Sequence, residues 1–509
     1  MTPQQRRAFT NHLTQARRFL DSGRFFEARE ALRPLAQTIK DEPELLHLLA
    51  RAELGLYRPD LALPRLVRLT EIVERPPYTL HEDLARAYRM LGRLEDSVLS
   101  FERAARLAPG EPGPICRRAM VLEALGREEQ AVRALQPLTD KGSRHPLLAL
   151  ALGLLAQTDE QRSEAESQLE EFGSDPKLSD AERSELNAAL ATLRRERGDH
   201  DGAWDAMERA NLLAGSDLDT DSHERQLELL IAAWSEEKTA QTLERSSERP
   251  DDGSSIALIV GQPASGEHLV EHILACHPEV AAGGTRGDLF RAIAALRDTR
   301  TRSADSPNGV LVMTPERLEQ VGKRAIEIYG KLLKRGQKIT TDSQISHVGS
   351  LGTLRAILPG LKIIRCVRDA RDACVDAYFD PPGTRPKYAG NLRASGVATR
   401  CERRVMEHWK QVLPGESGGI FDVVYEDLVR DPEPVVRALL AYLGLEFDEA
   451  CLAPEAYAGP PIGSGRGRLR KAIAEHEIGV ADTFAAHLGP FDQALAPQAS
   501  EDPGEDASG

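Results

Sequence analysis

The six cysteines of this 509-residue chain, Cys116, Cys276, Cys366, Cys374, Cys401 and Cys451, include no Cys-x-x-Cys pair. That spacing argues against a cysteine zinc site and a disulfide framework, and buried reduced thiols are expected. Long apolar runs are also lacking. No segment is long and apolar enough to span a bilayer, and the opening MTPQQRRAFTNHL has no apolar core of the signal-peptide kind, so a cytoplasmic protein is expected. A basic excess is missing too. With 65 Lys and Arg against 80 Asp and Glu the formal net charge is −15. This argues against general nucleic-acid or anionic-membrane binding while leaving room for a local basic site. The Gly-x4-Gly-Lys-Ser/Thr spacing of an ATP-type phosphate loop does not occur. What is present is a globular composition, 41% hydrophobic and 28% charged, in a chain long enough for two or three domains.

From residue 10 to about residue 213, small and large apolar residues recur with a period near ~34 residues, the tetratricopeptide length. The clearest unit carries Leu84, Ala85, Tyr88, Leu91, Gly92 and Leu94, then Ser97, Phe101, Ala104 and Pro109. Small residues let two helices approach, large ones fill the gap, and Pro109 ends the second helix. Gly126 repeats Gly92 at the turn, with Ala119, Ala131 and Leu135 in the matching places. Similar sets surround Gly23 (Ala16, Phe25, Ala28, Leu32), Ala165 (Gly153, Leu169) and Gly198 (Ala191, Ala203, Met207, Ala210). Around Gly55 the pattern slips by a residue or two and Pro59 falls in the turn. The pattern predicts roughly five or six helix pairs over residues 1–213, stacked as an α-solenoid of tetratricopeptide repeats. Such a stack offers a concave surface to a protein or peptide; the alternative is that it only extends the core of the C-terminal domain. Residues 214–235 are expected to form one more helix and 236–254 a linker. An α/β domain is expected over 255–494, and an acidic disordered tail over 495–509.

The second domain opens on Ile256-Ala257-Leu258-Ile259-Val260, which has the length and β-branched content of a buried parallel strand. The loop Gly261-Gln262-Pro263-Ala264-Ser265-Gly266 comes next, and then Leu269, Val270, Ile273 and Leu274 recur at helical spacing. Strand, glycine-bounded loop and helix make an anion cradle, because the N–H groups of the first helical turn have no intrahelical partner and the helix dipole adds positive charge.

These residues resemble the sulfotransferases, particularly the bacterial group with tetratricopeptide repeats in front and the related tyrosylprotein sulfotransferases. Gly261, Pro263, Ser265, Gly266 and Leu269 match their 5′-phosphosulfate loop, G-x-P-R-S-G-T-T-L. His277-Pro278-Glu279-Val280 with Thr285-Arg286 is similar to H-P-E-V…G-E-x-T-R, and Ile339-Thr340-Thr341-Asp342 to I-T-D-K-M-P. The run from Arg368 to Phe379 resembles R-D-P-R-D-x-C-x-S-x-Y-F, in which the first arginine and the serine hold the donor's 3′-phosphate; here Arg368 is kept and Asp376 stands at the serine. Tyr388 to Leu392, Trp409 and Val423 to Leu428 continue the resemblance. It implies a P-loop-like α/β domain with a central parallel sheet. It also implies phosphoadenosine phosphosulfate (PAPS) as sulfuryl donor and a hydroxyl acceptor such as protein tyrosine. The donor-contacting residues it implies are Gly261, Pro263, Ser265, Gly266, Arg368 and the Asp376 position; no catalytic residue is identified.

The chain also departs from the pattern. Ala264 replaces the loop arginine, Glu267 and His268 replace the two threonines, and Ser343 replaces the lysine. Gly283-Gly284 lack the carboxylate that serves the family as general base, and the closing segment from Arg470 to Ala481 loses its Tyr, serines, Arg and Trp, with Val480 at the last Arg position. At the loop alone the formal charge moves by about two units toward negative. Each lost contact to a polyanion costs on the order of a few kcal/mol. The expectation is therefore a sulfotransferase fold whose donor site is lost or re-specified. One outcome is PAPS-dependent transfer at an altered site; the other is a non-catalytic scaffold that binds a protein partner. A further pattern, His268-Leu269-Val270-Glu271-His272, spells the H-x-x-E-H of zinc peptidases. A cation is disfavoured at a helix N-terminus and no helix supplies the third ligand, so no metal is expected.

Overall fold

A computed structural model describes residues 3–56, 58–215, 218–249, 251–289, 314–457, 459, 473 and 477–496. The chain divides into two compact units, 1–175 and 176–509. Among the described residues no helix is long and apolar enough to cross a membrane. The expectations for 291–313, for most of 458–476 and for the tail beyond 496 lie outside the described residues.

The first unit is built of antiparallel helix pairs. They are α1 (Pro3–Asp21) with α2 (Phe25–Thr38), α3 (Pro43–Gly55) with α4 (Pro59–Ile72), and α5 (Tyr78–Met90) with α6 (Leu94–Leu107). Then come α7 (Pro112–Ala124) with α8 (Glu128–Thr139), and α9 (Pro146–Leu155) with α10 (Asp159–Gly173). The turns repeat one local solution. Gly23, Gly92 and Gly126 all have φ near +70°, and the arginine after each donates its N–H back to the helix it has left, as Arg93 does to the Tyr88 carbonyl at 2.9 Å. Only glycine takes that conformation without penalty, which is why the glycines mark the period. The slip around Gly55 is absorbed without loss of the pair: Pro59 begins α4, where a missing N–H has no cost, and Gly55 lies against the Phe25 ring. Ala16, Ala28, Ala52, Ala62, Ala85, Ala104, Ala119 and Ala131 are buried where helices meet.

The second unit opens with one more pair of the same kind, α11 (Asp180–Glu196) and α12 (His200–Ala214), turned at Gly198. Next are α13 (Thr220–Ala233) and α14 (Glu236–Glu244). Here the linker expectation fails: residues 236–244 are helical, and Thr239 and Thr242 are buried. The cause is tertiary. Trp234 is 1% exposed, lies edge-on to Trp409 at 5.7 Å, and its carbonyl accepts the Thr239 hydroxyl at 3.0 Å, so the polar stretch is anchored to the core.

Five parallel strands form the sheet among the described residues: β1 (Ile256–Gly261), β2 (Val280–Ala281), β3 (Ile339–Asp342), β4 (Lys362–Val367) and β5 (Ile420–Val424), in the order β2-β3-β1-β4-β5. Strand β1 is buried throughout, and its side chains alternate. Ile256, Leu258 and Val260 join Trp234, Tyr329 and Trp409 on one face, while Ala257 and Ile259 join Val270, Ile273, Leu439 and Leu440 on the other. The chain reaches β3 on one side of β1 and then crosses to β4 on the other. The loops leaving β1 and β4 therefore diverge, opening the crevice where parallel α/β sheets place ligands.

Candidate functional site

The candidate residues gather at the carboxyl ends of β1 and β4. Gly261 ends β1 so close to β4 that a Cβ on it would lie 2.6 Å from the Cys366 carbonyl oxygen. At the other end of the loop Gly266, with φ +100°, precedes helix α15 (Glu267–Ala275), and a Cβ there would meet the Tyr425 ring at 2.7 Å. Both glycines are therefore set by close approach. Between them Ala264 is the one non-glycine residue with positive φ among the described residues, at 62°. Ser265 is 2% exposed and Glu267 6%; the serine hydroxyl and one Glu267 oxygen are buried with no hydrogen-bond partner among the described residues. The Glu267 charge is felt nearby. After burial, the Glu402 and Glu267 carboxylates push the Tyr388 phenol further up, and Glu267 adds to the burial that raises the Cys366 thiol.

Arg368 comes directly after β4, and its guanidinium is held from several sides. Nη1 donates to the Ala264 carbonyl at 2.8 Å; Nη2 donates to Asp376 Oδ2 and to the Glu477 carbonyl, each at 2.7 Å. The group lies 4.4 Å from the centre of the Tyr425 ring, whose hydroxyl donates to Glu477 at 2.9 Å. Helices α16 (Pro315–Gly330) and α17 (Leu351–Ile357) precede β4, and α18 (Ala370–Phe379), which leaves it, carries Asp376. The other Asp376 oxygen accepts Arg195 Nη2 from α11 at 2.8 Å. Burial alone raises the Asp376 carboxyl, but Arg195 and Arg368 outweigh it and hold the group below its ordinary value. Burial likewise works against the Arg368 charge and Asp376 outweighs it, so that guanidinium is raised.

The rest of α18 ties the site down. Asp369 caps the helix by accepting the N–H groups of Arg371 and Asp372 at 2.9 and 3.1 Å, and its own N–H donates to Glu426. Asp372 accepts from Gly479 and Ala481 at 2.7 and 2.8 Å. Both carboxylates thus serve backbone N–H groups, and Arg371 pairs with Asp492.

On the β3 side Glu271 reaches the stretch where no carboxylate stands. It accepts the Gly284 N–H at 2.8 Å and the Thr341 hydroxyl at 2.5 Å, while Gly283 donates to Thr341 at 3.1 Å. Glu271 is fully buried; that burial raises its carboxyl against the donors of Ser343, Thr341 and Gly284. A carboxyl raised in the folded state lowers stability as pH climbs from the unfolded value toward the folded one. Glu271→Gln is therefore expected to be at least as stable as the parent at pH 8 and to lose that advantage below about pH 4. Chemical denaturation at the two pH values checks this; a variant uniformly weaker at both would refute it. Of the H-x-x-E-H residues, Glu271 has its Oε1 engaged by Gly284 and Thr341. Burial lowers the His272 imidazole, and its Nδ1 lies 3.0 Å from the His268 carbonyl. Among the described residues no three His, Cys, Asp or Glu side chains are grouped as metal ligands.

Residues 257–449, which contain the β1 loop, Arg368 and Asp376, match the model described as the sulfotransferase family. The C-terminal part of this chain carries a sulfotransferase-family domain. An uncharacterized protein of Aquifex aeolicus (strain VF5) is 23% identical over 409 residues, 79% of this chain and 52% of that protein. Protein-tyrosine sulfotransferase 2 of Gallus gallus is 25% identical over 232 residues, 43% of this chain and 58% of that protein. The chain thus spans between 52% and 58% of the length of these curated relatives. Among solved structures, the sulfotransferase domain of the Synechococcus PCC 7002 olefin synthase is 22% identical, with a TM-score of 0.28, covering 45% of this chain and 93% of that one.

Within the sulfotransferase-family domain the structure gathers Gly261, Pro263, Ser265, Gly266, Arg368 and Asp376 at one crevice, through the contacts of Arg368 with Ala264 and Asp376. It also brings in residues that sequence reasoning missed. Arg195 arrives from a repeat helix 181 residues before Asp376, and Glu477 contributes a backbone carbonyl. A carbonyl leaves no mark on side-chain identity. Arg195 carries no signal beyond being an arginine on a repeat helix, where solvated arginines are common.

Proposed function

We propose that this protein is a non-catalytic descendant of the sulfotransferases, acting in the cytoplasm as a scaffold whose tetratricopeptide-type helices bind a protein or peptide. The observation that carries this reading is the grip of Asp376 on Arg368. In the family resemblance Arg368 is the cation for the donor's 3′-phosphate. Here its Nη2 already meets a buried carboxylate at 2.7 Å, and the other oxygen of that carboxylate meets Arg195. A carboxylate bonded between two guanidiniums is a built-in substitute for a bound anion. An incoming phosphate dianion would have to displace it from low-dielectric surroundings or face it as a like charge.

The residues present do not fit PAPS at the loop either. Glu267 puts a buried carboxylate on the first turn of α15, where the helix dipole would otherwise favour the ligand's charge, and Ala264 offers no cation. One observation favours the enzymatic reading, transfer from PAPS to a hydroxyl such as protein tyrosine: the Ser265 hydroxyl has no hydrogen-bond partner among the described residues and stands just before the first turn of α15. Its single neutral donor is outweighed by two carboxylates.

Calorimetric titration of the full chain with adenosine 3′,5′-bisphosphate, at low and moderate salt, tests the choice. No binding is expected in the micromolar range, and the quadruple change A264R/E267T/D376S/V480R is expected to create it. Micromolar binding by the unaltered protein would return the enzymatic reading to first place.

A further inference from the structure

One position of the repeats changes chemistry along the first unit. Directly after the small residue at each helix crossing stand Arg17, Arg51, Arg86, Met120 and Leu154, at intervals of 34 or 35 residues. The preceding Ala16, Ala50, Ala85 and Ala119 are fully buried, and a Cβ on Gly153 would lie 3.0 Å from Leu169 of the paired helix. The next residue is turned by about 100° from that contact on each of α1, α3, α5, α7 and α9, so the five side chains share one side of the unit. These helices are neighbours: α1 packs on α3, α3 on α5 and α7 on α9, and the start of α7 reaches α5 where a Cβ on Gly113 would lie 3.5 Å from Glu82. The three arginines are exposed, and Met120 and Leu154 are half-buried. The row is thus cationic over three helices and apolar over two.

Exposed arginines on repeat helices are common, and recurrence alone does not mark a site. Arg24, Arg58, Arg93 and Arg127 recur at the turns with the same period, and each is paired with a carboxylate, in turn Glu27, Asp60, Asp96 and Glu95. That set serves the turns. The row on the first helices is matched less fully. Arg17 pairs with Glu44, but Arg51 has no hydrogen bond or ion pair among the described residues. Arg86 lies 3.5 Å from Asp83, a carboxylate that is 7% exposed and already meets His47 at 2.8 Å. Glu82, one turn before Arg86, has its carboxyl raised by burial, with Arg117 the largest opposing charge.

We propose that this side of the repeat unit binds an extended segment of a partner protein, acidic where it crosses α1, α3 and α5 and apolar where it crosses α7 and α9. The inference rests on the reading of the repeats as a binding surface and adds the chemistry of the ligand. Charge complementarity selects it: on a chain of formal charge −15 the arginine row is a local exception, where an acidic segment meets attraction. Carboxylates suit guanidiniums because the two can form forked pairs, and the apolar end sets the segment's direction by burying its own apolar side chains. The spacing also fits. Packed helices lie about 8–10 Å apart and a polyproline-type chain advances about 9 Å in three residues, so every third side chain of a segment of about 13 residues meets the next helix.

Fluorescence anisotropy of the full chain with labelled synthetic peptides tests it. The probe carries glutamate at the first three of these contact places and leucine at the last two, separated by glycine and serine, and is made in both chain directions. One control has lysine for glutamate and another has serine for leucine. Saturable micromolar binding of the glutamate and leucine probe is expected in one direction, weakened by salt, with no binding of the lysine control. The triple change Arg17→Gln, Arg51→Gln and Arg86→Gln should weaken it about tenfold, at about two- to threefold per exposed pair. Glutamine is a good helix former at these exposed positions, so the variant should unfold at the parent's temperature. Leu154→Gln should weaken the glutamate and leucine probe about threefold and leave the serine control unchanged. No saturable binding of the probe, or full binding by the triple variant, overturns the proposal. Binding of the lysine control alone overturns it too but leaves the scaffold reading in place. Micromolar binding of adenosine 3′,5′-bisphosphate removes the non-catalytic reading without touching this one.

Discussion

Replacing Asp376 by asparagine is expected to lower the unfolding free energy of the C-terminal unit by about 3–5 kcal/mol, the range for breaking a buried ion pair from one side. The side chains of Asp376 and Arg368 are 7% and 3% exposed, and Arg195 is 22% exposed. Asparagine keeps the shape and one acceptor but removes the charge, leaving two guanidiniums opposed with no carboxylate between them. The loss depends on pH with a definite sign. The folded-state carboxyl is depressed below its unfolded value, so its contribution is fully present above the unfolded value of about 4 and is lost as pH falls through the folded one. The gap between parent and variant should therefore narrow in acid. Urea denaturation at pH 7 and pH 3, followed by tryptophan fluorescence, measures it. The three tryptophans, Trp204, Trp234 and Trp409, all lie in the C-terminal unit, so the signal reports that unit alone. A loss under about 1 kcal/mol at pH 7 would mean that the pairs behave as solvated surface pairs, and the argument that Asp376 replaces a ligand anion would fail.

Trp204→Ala is expected to cost the same unit about 3–5 kcal/mol. Trp204 projects from α12, is 3% exposed, and is sandwiched between the Tyr378 ring at 4.6 Å and the His487 ring at 4.3 Å, both nearly parallel to it. Phe379 and Phe484 close its edges at 5.8 and 5.5 Å. Deleting the indole leaves a cavity that neither α18 nor the 484–488 turn fills without moving, and stacking is lost on both faces. Trp204→Phe should retain most of the burial and cost about 1–2 kcal/mol. Denaturation read from the remaining tryptophans gives both values. If alanine proves as mild as phenylalanine, the last repeat pair is not an integral part of the C-terminal unit.

Both predictions concern contacts that join a repeat helix pair to the sulfotransferase-family domain, and neither was legible beforehand. The turns of the repeat were, because Gly23, Gly92 and Gly126 meet a local backbone demand that only their own few neighbours impose. So was the cradle, since an apolar run ending in Gly261 and resuming at helical spacing after Gly266 is a pattern of adjacent residues. The stretch 236–244 was misread for the converse reason: its composition is polar, and only the position of Trp234 in the distant sheet core turns Thr239 and Thr242 inward. Asp376 shows the division most sharply. Residue identity is enough to put a carboxylate where the family resemblance places a serine hydroxyl beside Arg368, and hence to change the site's charge. What that carboxylate does follows from the folded chain, because its second partner, Arg195, is 181 residues away. Local pattern encodes backbone conformation and burial, which depend on near neighbours. The charge balance of a buried site is a sum over groups that meet only when the chain is folded.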